Sequence, residues 1–245
     1  MLVFSRIIGL LLITCSLTGS YPQKLLINSG KLIESNLQVG EKSINSNENF
    51  FKKNIKIFQL EGGKDKNKVN IINNKIRDDI EPRIADAEIT ANEYSKSSGG
   101  KAPTFPYEIK STYVITKKDN NMISLYNDYY EFLGGAHGNT IRTSYTIDVF
   151  EEKLLNINDL FSEGYDYKSV IDKEILKQIE KNKQNYFDEG KIFKGISDNQ
   201  GFYIEGNNLV IYYQLYEIAP YVFGIPEFKI DLKIFGNNYK YNKAI

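Results

Sequence analysis

The fold is decided by the stretch Tyr107–Thr116, which reads YEIKSTYVIT. Tyrosine, isoleucine and serine alternate there with mostly polar residues, and this period of two predicts a β-strand with one buried face. Asp119–Asn121 (DNN) follows as a turn, and Met122–Phe132 then returns as the partner strand. The stretch therefore predicts an antiparallel hairpin.

Two stripes of apolar residues, at steps of three and four, predict helices. The first stripe consists of Val69, Ile72, Ile76, Ile80, Ile84, Ala87, Ala91 and Tyr94. Pro82 lies inside this stripe and predicts a kink or a break. The second helix is predicted from an N-cap at Asp166 to about Phe187, with a stripe of Ile171, Ile175, Ile179 and Tyr186.

Further short segments predict additional strands, namely Ile55–Phe58, Thr140–Phe150, Gly201–Glu205, Leu209–Tyr216 and Phe228–Ile234. Asn158–Phe161 predicts one helical turn capped by Asn158. A helix plus mostly hairpin-linked strands in each half is typical of an α+β fold and not of a doubly wound nucleotide-binding sheet. We predict antiparallel sheets with packed helices, arranged as two small α/β-sandwich-like domains in tandem.

The chain divides into four predicted segments. Residues 1–20 combine a short basic start, an apolar run and small residues, which indicates a secretory signal peptide and an extracytoplasmic location. Residues 21–49 are rich in Ser, Asn, Glu and Lys towards their end and predict a flexible linker. Residues 50–150 and 151–240 are the two predicted domains.

Cys15 is the only cysteine in the 245 residues, and two interpretations of it stay open. It is either an incidental small residue of the signal or a lipidated residue, since Leu12–Cys15 (LITC) resembles a bacterial lipobox. Thr14 departs from the Gly, Ala or Ser that is usual before that cysteine. In both cases the monomer has no disulfide and no thiol for catalysis or zinc binding, and membrane contact is expected only through a lipid.

Composition argues against several classes of function. Lys and Arg number 31, as do Asp and Glu, and the resulting zero net charge gives no electrostatic footprint for nucleic acid. His137 is the only histidine, whereas zinc sites need several His or Cys ligands. We therefore expect no metal, no cofactor and no metallo- or thiol-based catalysis. The acidic pairs Asp78–Asp79 and Glu151–Glu152 are interpreted as solvated charges.

The loop Gly134–Gly138 (GGAHG) has two interpretations. In one, His137 acts as a base or ligand. In the other, the loop is a turn that needs positive φ, and the imidazole satisfies local backbone groups. The 18 tyrosines, found with no tryptophan, are similarly open to two interpretations. They either pack on sheet faces or form an aromatic contact surface.

Three segments carry a resemblance to a bacterial extracytoplasmic family. They are Tyr129–Gly138 (YYEFLGGAHG), Leu155–Phe161 (LNINDLF) and Tyr216–Phe228 (YEIAPYVFGIPEF). In this order they resemble the paired unknown-function-domain family of the DUF4163/DUF3298 type. Its members occur in the ectodomains of RsiV-type anti-sigma factors, which are lysozyme receptors, and beside PdaC-type peptidoglycan deacetylase domains. The resemblance implies a PdaC/RsiV-like first domain at 50–150 and an RsiV-like second domain at 151–240.

The resemblance implies a non-enzymatic cell-envelope binding module that recognises a lysozyme-like protein or a peptidoglycan-related ligand. We expect neither the anti-sigma nor the deacetylase activity, because six residues precede the apolar run and one histidine cannot supply the deacetylase metal site. The alternative is a cell-wall glycan hydrolase with a carboxylate pair. The expected binding residues are Gly134, Gly135, His137, Gly138, Tyr221, Gly224 and Pro226.

Overall fold

The computed structural model describes Ile27–Asn28, Lys31–Leu32 and residues 36–241. The predicted signal peptide and Cys15 lie outside these residues. Ile27–Asn28 (β1) and Lys31–Leu32 (β2) pair as a two-residue antiparallel ladder. No helix in the described ranges combines the length and the apolar character needed to cross a bilayer.

The first domain is built on a six-stranded sheet. Its strands are β3 (Gln38–Asn47), β4 (Phe51–Glu61), β5 (Tyr107–Lys118), β6 (Met122–Phe132), β7 (Asn139–Asp148) and β8 (Lys153–Leu154), in that spatial order. All neighbours are antiparallel except β4 and β5, which are parallel because a helix carries the chain across the sheet between them. The hairpin predicted from Tyr107–Thr116 is confirmed as β5 and β6.

The crossing helix α1 (Lys66–Ser97) lies on one face of this sheet. Asp65 caps it by accepting the N–H groups of Asn67 and Lys68. The buried face consists of the predicted stripe, Val69, Ile72, Ile76, Ile80, Ile84, Ala87 and Ala91. Of the kink or break predicted at Pro82, the break is wrong: the helix continues through this residue, because the apolar stripe on both sides is buried against the sheet.

Gln38–Asn47 form strand β3, so the prediction of a flexible linker over residues 21–49 is wrong for this part. All ten residues pair with β4, from Gln38 opposite Glu61 to Asn47 opposite Lys52. The side chains of β3 are mostly exposed or half-buried. The strand is therefore held by backbone hydrogen bonds. Because these bonds do not depend on the type of side chain, the sequence shows no apolar period there.

The second domain is a smaller antiparallel sheet with one helix. Its strands β9 (Phe202–Glu205), β10 (Asn208–Tyr212) and β11 (Glu227–Asp231) lie in the order β11-β10-β9. Helix α2 (Tyr167–Lys181) begins at the predicted N-cap Asp166 and buries Ile171, Ile175 and Ile179 beneath the sheet. The α+β class with mostly antiparallel sheets is therefore confirmed, with a separate sheet in each domain.

Several predicted boundaries in the second domain shift. The helical turn is a 3₁₀ helix at Ile157–Leu160, preceded by Asn156, so the cap predicted at Asn158 is wrong. The Asp159 carboxylate accepts the Asn156 N–H at 2.8 Å, which fixes this start. The strand predicted to reach Ile234 ends at Asp231, whose carboxylate caps a following 3₁₀ helix.

Strand β6 contacts α1 on one face and the second domain on the other. Its odd-numbered residues Ile123, Leu125 and Tyr129 belong to the core under α1. Met122 and Tyr126, on the opposite face, pack into clusters of the second domain. Both faces of β6 are thus covered, one by α1 and the other by the second sheet.

Candidate binding surface

The loop between β6 and β7 carries the glycines singled out in the sequence. Gly134 and Gly135 have φ values of +98° and +92°, a left-handed backbone that favours glycine. Gly138 is buried against Tyr130, and a Cβ atom there would lie 2.4 Å from the Tyr130 ring. The backbone conformation therefore favours glycine at positions 134 and 135, and close packing requires glycine at position 138. His137, within the same loop, is exposed.

His137 meets two tyrosines of the second domain. Its imidazole stacks on the ring of Tyr221, with centroids 4.2 Å apart and planes at 24°. The Tyr216 hydroxyl lies 3.2 Å from His137 Nε2, and the Tyr216 and Tyr221 ring centroids are 5.6 Å apart. We call His137, Tyr216 and Tyr221 the ring cluster. It brings together the two segments that the sequence marked separately.

Hydrogen bonds assign the proton of the imidazole. His137 Nδ1 lies 2.9 Å from the carbonyl oxygen of Gly138, which can only accept, so Nδ1 carries a proton. In the neutral ring, Nε2 then accepts from the Tyr216 hydroxyl. The Tyr221 hydroxyl donates to the same Gly138 oxygen at 3.1 Å. Both ring nitrogens are therefore engaged within the cluster. In the described part of the chain, no three His, Cys, Asp or Glu side chains converge into a metal site.

Tyr216 is held in an unusual backbone conformation. Its φ is +65°, which a bulky aromatic residue rarely adopts, and its side chain is 51% exposed. The turn around it is closed by the Gln214 N–H, which donates to the Glu217 carboxylate at 2.7 Å. Such strain costs about 1–3 kcal/mol and is concentrated at functional sites. The sequence marked Tyr216 only as the first residue of the segment Tyr216–Phe228, because nothing in the sequence reveals the sign of φ.

The segment after the ring cluster forms an exposed apolar tip, defined as Val222 and Phe223. Pro220 starts a 3₁₀ turn over Tyr221–Phe223, and Gly224 ends it at a φ of +69°. Val222 is 82% exposed. The sequence analysis did not single out these two residues. The exposure of this apolar pair would have been the signal, but exposure cannot be read from the sequence.

Pro226 does not join this surface. It is buried, and its carbonyl oxygen accepts the N–H of Tyr213 at 3.0 Å. It therefore continues the pairing between β10 and β11 beyond Tyr212. Of the seven expected residues, His137 and Tyr221 contribute side chains to the ring cluster, whereas the four glycines and Pro226 set the backbone around it.

Arg142 lies in the junction between the two domains. Its guanidinium donates to both carboxylate oxygens of Asp128 at 2.7 Å and also to Glu227, and it packs 3.8 Å from the Tyr126 ring centroid. Burial alone lowers the pKa of Arg142, but the hydrogen bonds and charges of Asp128 and Glu227 outweigh it and raise the pKa above its ordinary value. Arg142 is therefore a fixed cation whose two carboxylate partners come from different domains.

Comparisons with known proteins divide the chain in the same way. Residues 44–140 match the family model described as deacetylase PdaC, and residues 158–233 match the protein of unknown function DUF3298. These two matches support the resemblance to the DUF3298/PdaC-associated family. His137 lies in the PdaC-type match and Tyr216 and Tyr221 lie in the DUF3298 match, so the ring cluster is assembled from both matched regions.

One curated relative is the peptidoglycan-N-acetylmuramic acid deacetylase PdaC of Bacillus subtilis (strain 168). It is 23% identical over 154 residues, which cover 61% of this chain and 33% of the relative. The chain thus spans about a third of the length of the curated relative it matches.

Two solved structures share the fold. A DUF3298 family member from Bacteroides fragilis NCTC 9343 is 18% identical, with a TM-score of 0.63, over 85% of this chain and 95% of that one. A DUF3298 family protein from Pseudomonas aeruginosa PAO1 is 16% identical, with a TM-score of 0.53, over 86% of this chain and 96% of that one. The two-domain arrangement thus recurs in solved DUF3298 proteins.

Proposed function

We propose that this protein is a non-enzymatic module of the cell envelope, and that the ring cluster and the apolar tip together bind a lysozyme-like protein. The observation that carries the proposal is the stack of the exposed His137 on the half-buried Tyr221, with the exposed Val222 and Phe223 beside it. Aromatic residues are enriched in protein interfaces, and contiguous exposed apolar groups mark interaction sites. The envelope location is supported by the peptidoglycan deacetylase that shares the matched region.

The shape of the apolar tip favours a protein over a small glycan. Sites for small ligands are concave and enclose most of the ligand surface. Val222 is 82% exposed, and a Cβ added at Gly224 would contact nothing within 4 Å, so the tip projects into solvent. A projecting apolar group gains contact area only when the partner supplies the concavity. An enzyme that cleaves polysaccharide presents such a concavity as its substrate cleft.

The alternative, a glycan hydrolase, gains no support from the carboxylates at the junction. Asp128 and Glu227 come close to each other, but both are bound to the Arg142 guanidinium. A hydrolase needs one carboxyl group that stays protonated and a second that is free to act as base or nucleophile. Two carboxylates that are both bound to one arginine are not free to take these two roles.

The test is a binding measurement on the purified protein with a lysozyme and with insoluble peptidoglycan sacculi as probes. Val222→Ser removes the tip at a solvent-exposed position, and Tyr221→Ala removes the stacked ring. Leu176→Ser is the matched control, because Leu176 is 50% exposed on α2. Burying one apolar side chain contributes about 1.5–3 kcal/mol, so we expect each site variant to weaken lysozyme binding by about 10- to 100-fold.

Three outcomes of these measurements would contradict the proposed function or part of it. Equal lysozyme affinity of Val222→Ser and wild type would overturn the assignment of the surface. Binding to sacculi alone, weakened by Tyr221→Ala, would replace the protein ligand by a glycan. Release of soluble fragments from sacculi over many turnovers would contradict the non-enzymatic proposal.

A further inference from the structure

We infer that Arg142 is a positioning residue that joins the two halves of the ring cluster, so that the binding surface exists only while the two domains are docked. This inference rests on the proposed function and adds to it how the surface is assembled. Arg142 touches no residue of the ring cluster through its side-chain hydrogen bonds, which go to Asp128 and Glu227. It acts on the cluster through the segment that those bonds hold.

Arg142 is attached to both ends of the segment that carries Tyr216 and Tyr221. At the far end, its guanidinium binds Glu227, the first residue of β11. At the near end, its backbone N–H donates to Gln214 Oε1 at 3.0 Å, and its carbonyl oxygen accepts from Gln214 Nε2 at 2.8 Å. The twelve residues between these ends (215–226) therefore start and finish on one residue of the first domain.

The same residue is fixed to the first half of the cluster. Arg142 lies on β7, four residues after Gly138, and its side chain is fastened to Asp128 on the neighbouring strand β6. Strands β6 and β7 flank the loop that carries His137. The distance between His137 and the segment of Tyr221 is thus set through Arg142, in addition to the contacts within the ring cluster and the hydrogen bond from the Tyr221 hydroxyl to the Gly138 carbonyl.

The chemistry of these bonds suits positioning. Asp128 is gripped by two parallel N–H groups, a geometry that the guanidinium fork of arginine provides and that lysine cannot reproduce. The Gln214 amide pairs with a peptide group in the same two-bond manner. Arg142 is only 8% exposed, so water competes little for these bonds. Directional, desolvated pairs of this kind fix one relative orientation of the parts they join.

Two variants test the inference with a readout that needs no ligand. Arg142→Lys keeps the charge but loses the fork, and Gln214→Ala removes the amide pair but leaves Arg142 intact. His137 is the only histidine, so protein made without a histidine tag gives a single imidazole Cε1–H signal in NMR. The stacked Tyr221 ring shifts this signal, and Tyr221→Ala defines its position without the stack.

We expect the imidazole signal of Arg142→Lys and Gln214→Ala to move towards that of Tyr221→Ala while cooperative unfolding is retained. Lys168→Ala, which breaks an exposed ion pair with Asp198 on the second domain, is the matched control and leaves the signal in place. Affinity for lysozyme falls at least 5-fold in both variants and stays unchanged in the control.

The two proposals fail differently in this experiment. If wild type binds neither probe, the proposed function fails, while the imidazole signal still decides the role of Arg142. If both variants keep the wild-type imidazole signal, the positioning role is overturned whatever the binding result. If Arg142→Lys does not fold, Gln214→Ala is the variant that tests the inference. The Gln214 side chain is half-buried, and its removal leaves Arg142 paired with its carboxylates.

Discussion

Replacing Glu152 with alanine removes a buried carboxylate that holds the start of α1. Glu152 lies in the turn between β7 and β8 and is 3% exposed. Its Oε1 accepts the N–H of Lys64 at 2.5 Å and its Oε2 accepts the N–H of Asp65 at 2.8 Å. Both N–H groups immediately precede the helix, where backbone donors lack partners within the helix. The substitution therefore tests how firmly α1 is attached to the sheet.

The magnitude follows from the two hydrogen bonds. Bonds to a charged acceptor contribute about 1.5–3 kcal/mol each, so losing both costs about 3–6 kcal/mol of the free energy of unfolding. Glu152→Gln keeps one good acceptor and is expected to cost about half of that. Alanine does not relieve the left-handed backbone at Glu152, where φ is +51°, so no compensating gain is expected.

Glu151 provides the matched control, because it is the neighbouring glutamate and its side chain is exposed. Its carbonyl oxygen accepts from Lys68 Nζ, a bond that does not depend on the side chain. Equilibrium urea unfolding measures all three variants, and we expect Glu151→Ala to stay within about 0.5 kcal/mol of wild type. If Glu152→Ala also stayed within about 1 kcal/mol, the carboxylate would not support the helix, and the reasoning from burial would be refuted.

Two further predictions concern the stability of the folded protein. Pro82→Ala restores a backbone donor inside α1 at an exposed position, so thermal or urea unfolding should show a gain of about 1–3 kcal/mol; an unchanged or lower stability would show that the helix has adapted to proline. Burial raises the pKa of Tyr129, Tyr145 and Tyr239 above the ordinary value of about 10. Because the neutral phenol is favoured in the folded state, their contribution to stability is complete below pH 10 and is lost progressively above it. Ultraviolet titration of tyrosinate should therefore reveal a late class that ionises only with loss of structure, and a single class near pH 10 in a protein that stays folded would contradict this.

The parts of the fold that could be predicted are those whose side chains are buried on one face only. The α1 stripe is one case, since every third or fourth residue from Val69 to Ala91 meets the sheet. Strand β3 is the opposite case: its side chains are largely exposed, and its pairing with β4 uses backbone groups that every residue carries. Glu152 was misjudged for a related reason, because its burial depends on α1, whose N-cap Asp65 lies 87 residues earlier in the chain.

The candidate site could be predicted only in pieces. The glycine loop and the segment around Tyr221 were each marked by the sequence, but their contact depends on how the second sheet packs on the outer face of β6 and β7. His137 and Tyr216 are 79 residues apart, and no periodicity reports a contact over such a separation. The role of Arg142 was hidden for the same reason, since its partners Gln214 and Glu227 belong to the other domain.

The polar character of the domain junction bears on why the surface is placed there. The Thr116 hydroxyl donates to the Ile204 carbonyl at 2.7 Å, and the Ile204 N–H donates to the Ser124 hydroxyl at 2.8 Å, close to Tyr126 and Tyr203. A purely apolar junction would gain as much from burial but would tolerate sliding, because the hydrophobic effect has no direction. Hydrogen bonds lose their energy within a few tenths of an ångström and a few tens of degrees. A ligand that contacts both halves of the ring cluster therefore meets a surface whose geometry is already fixed, and by linkage its binding must strengthen the docking of the domains.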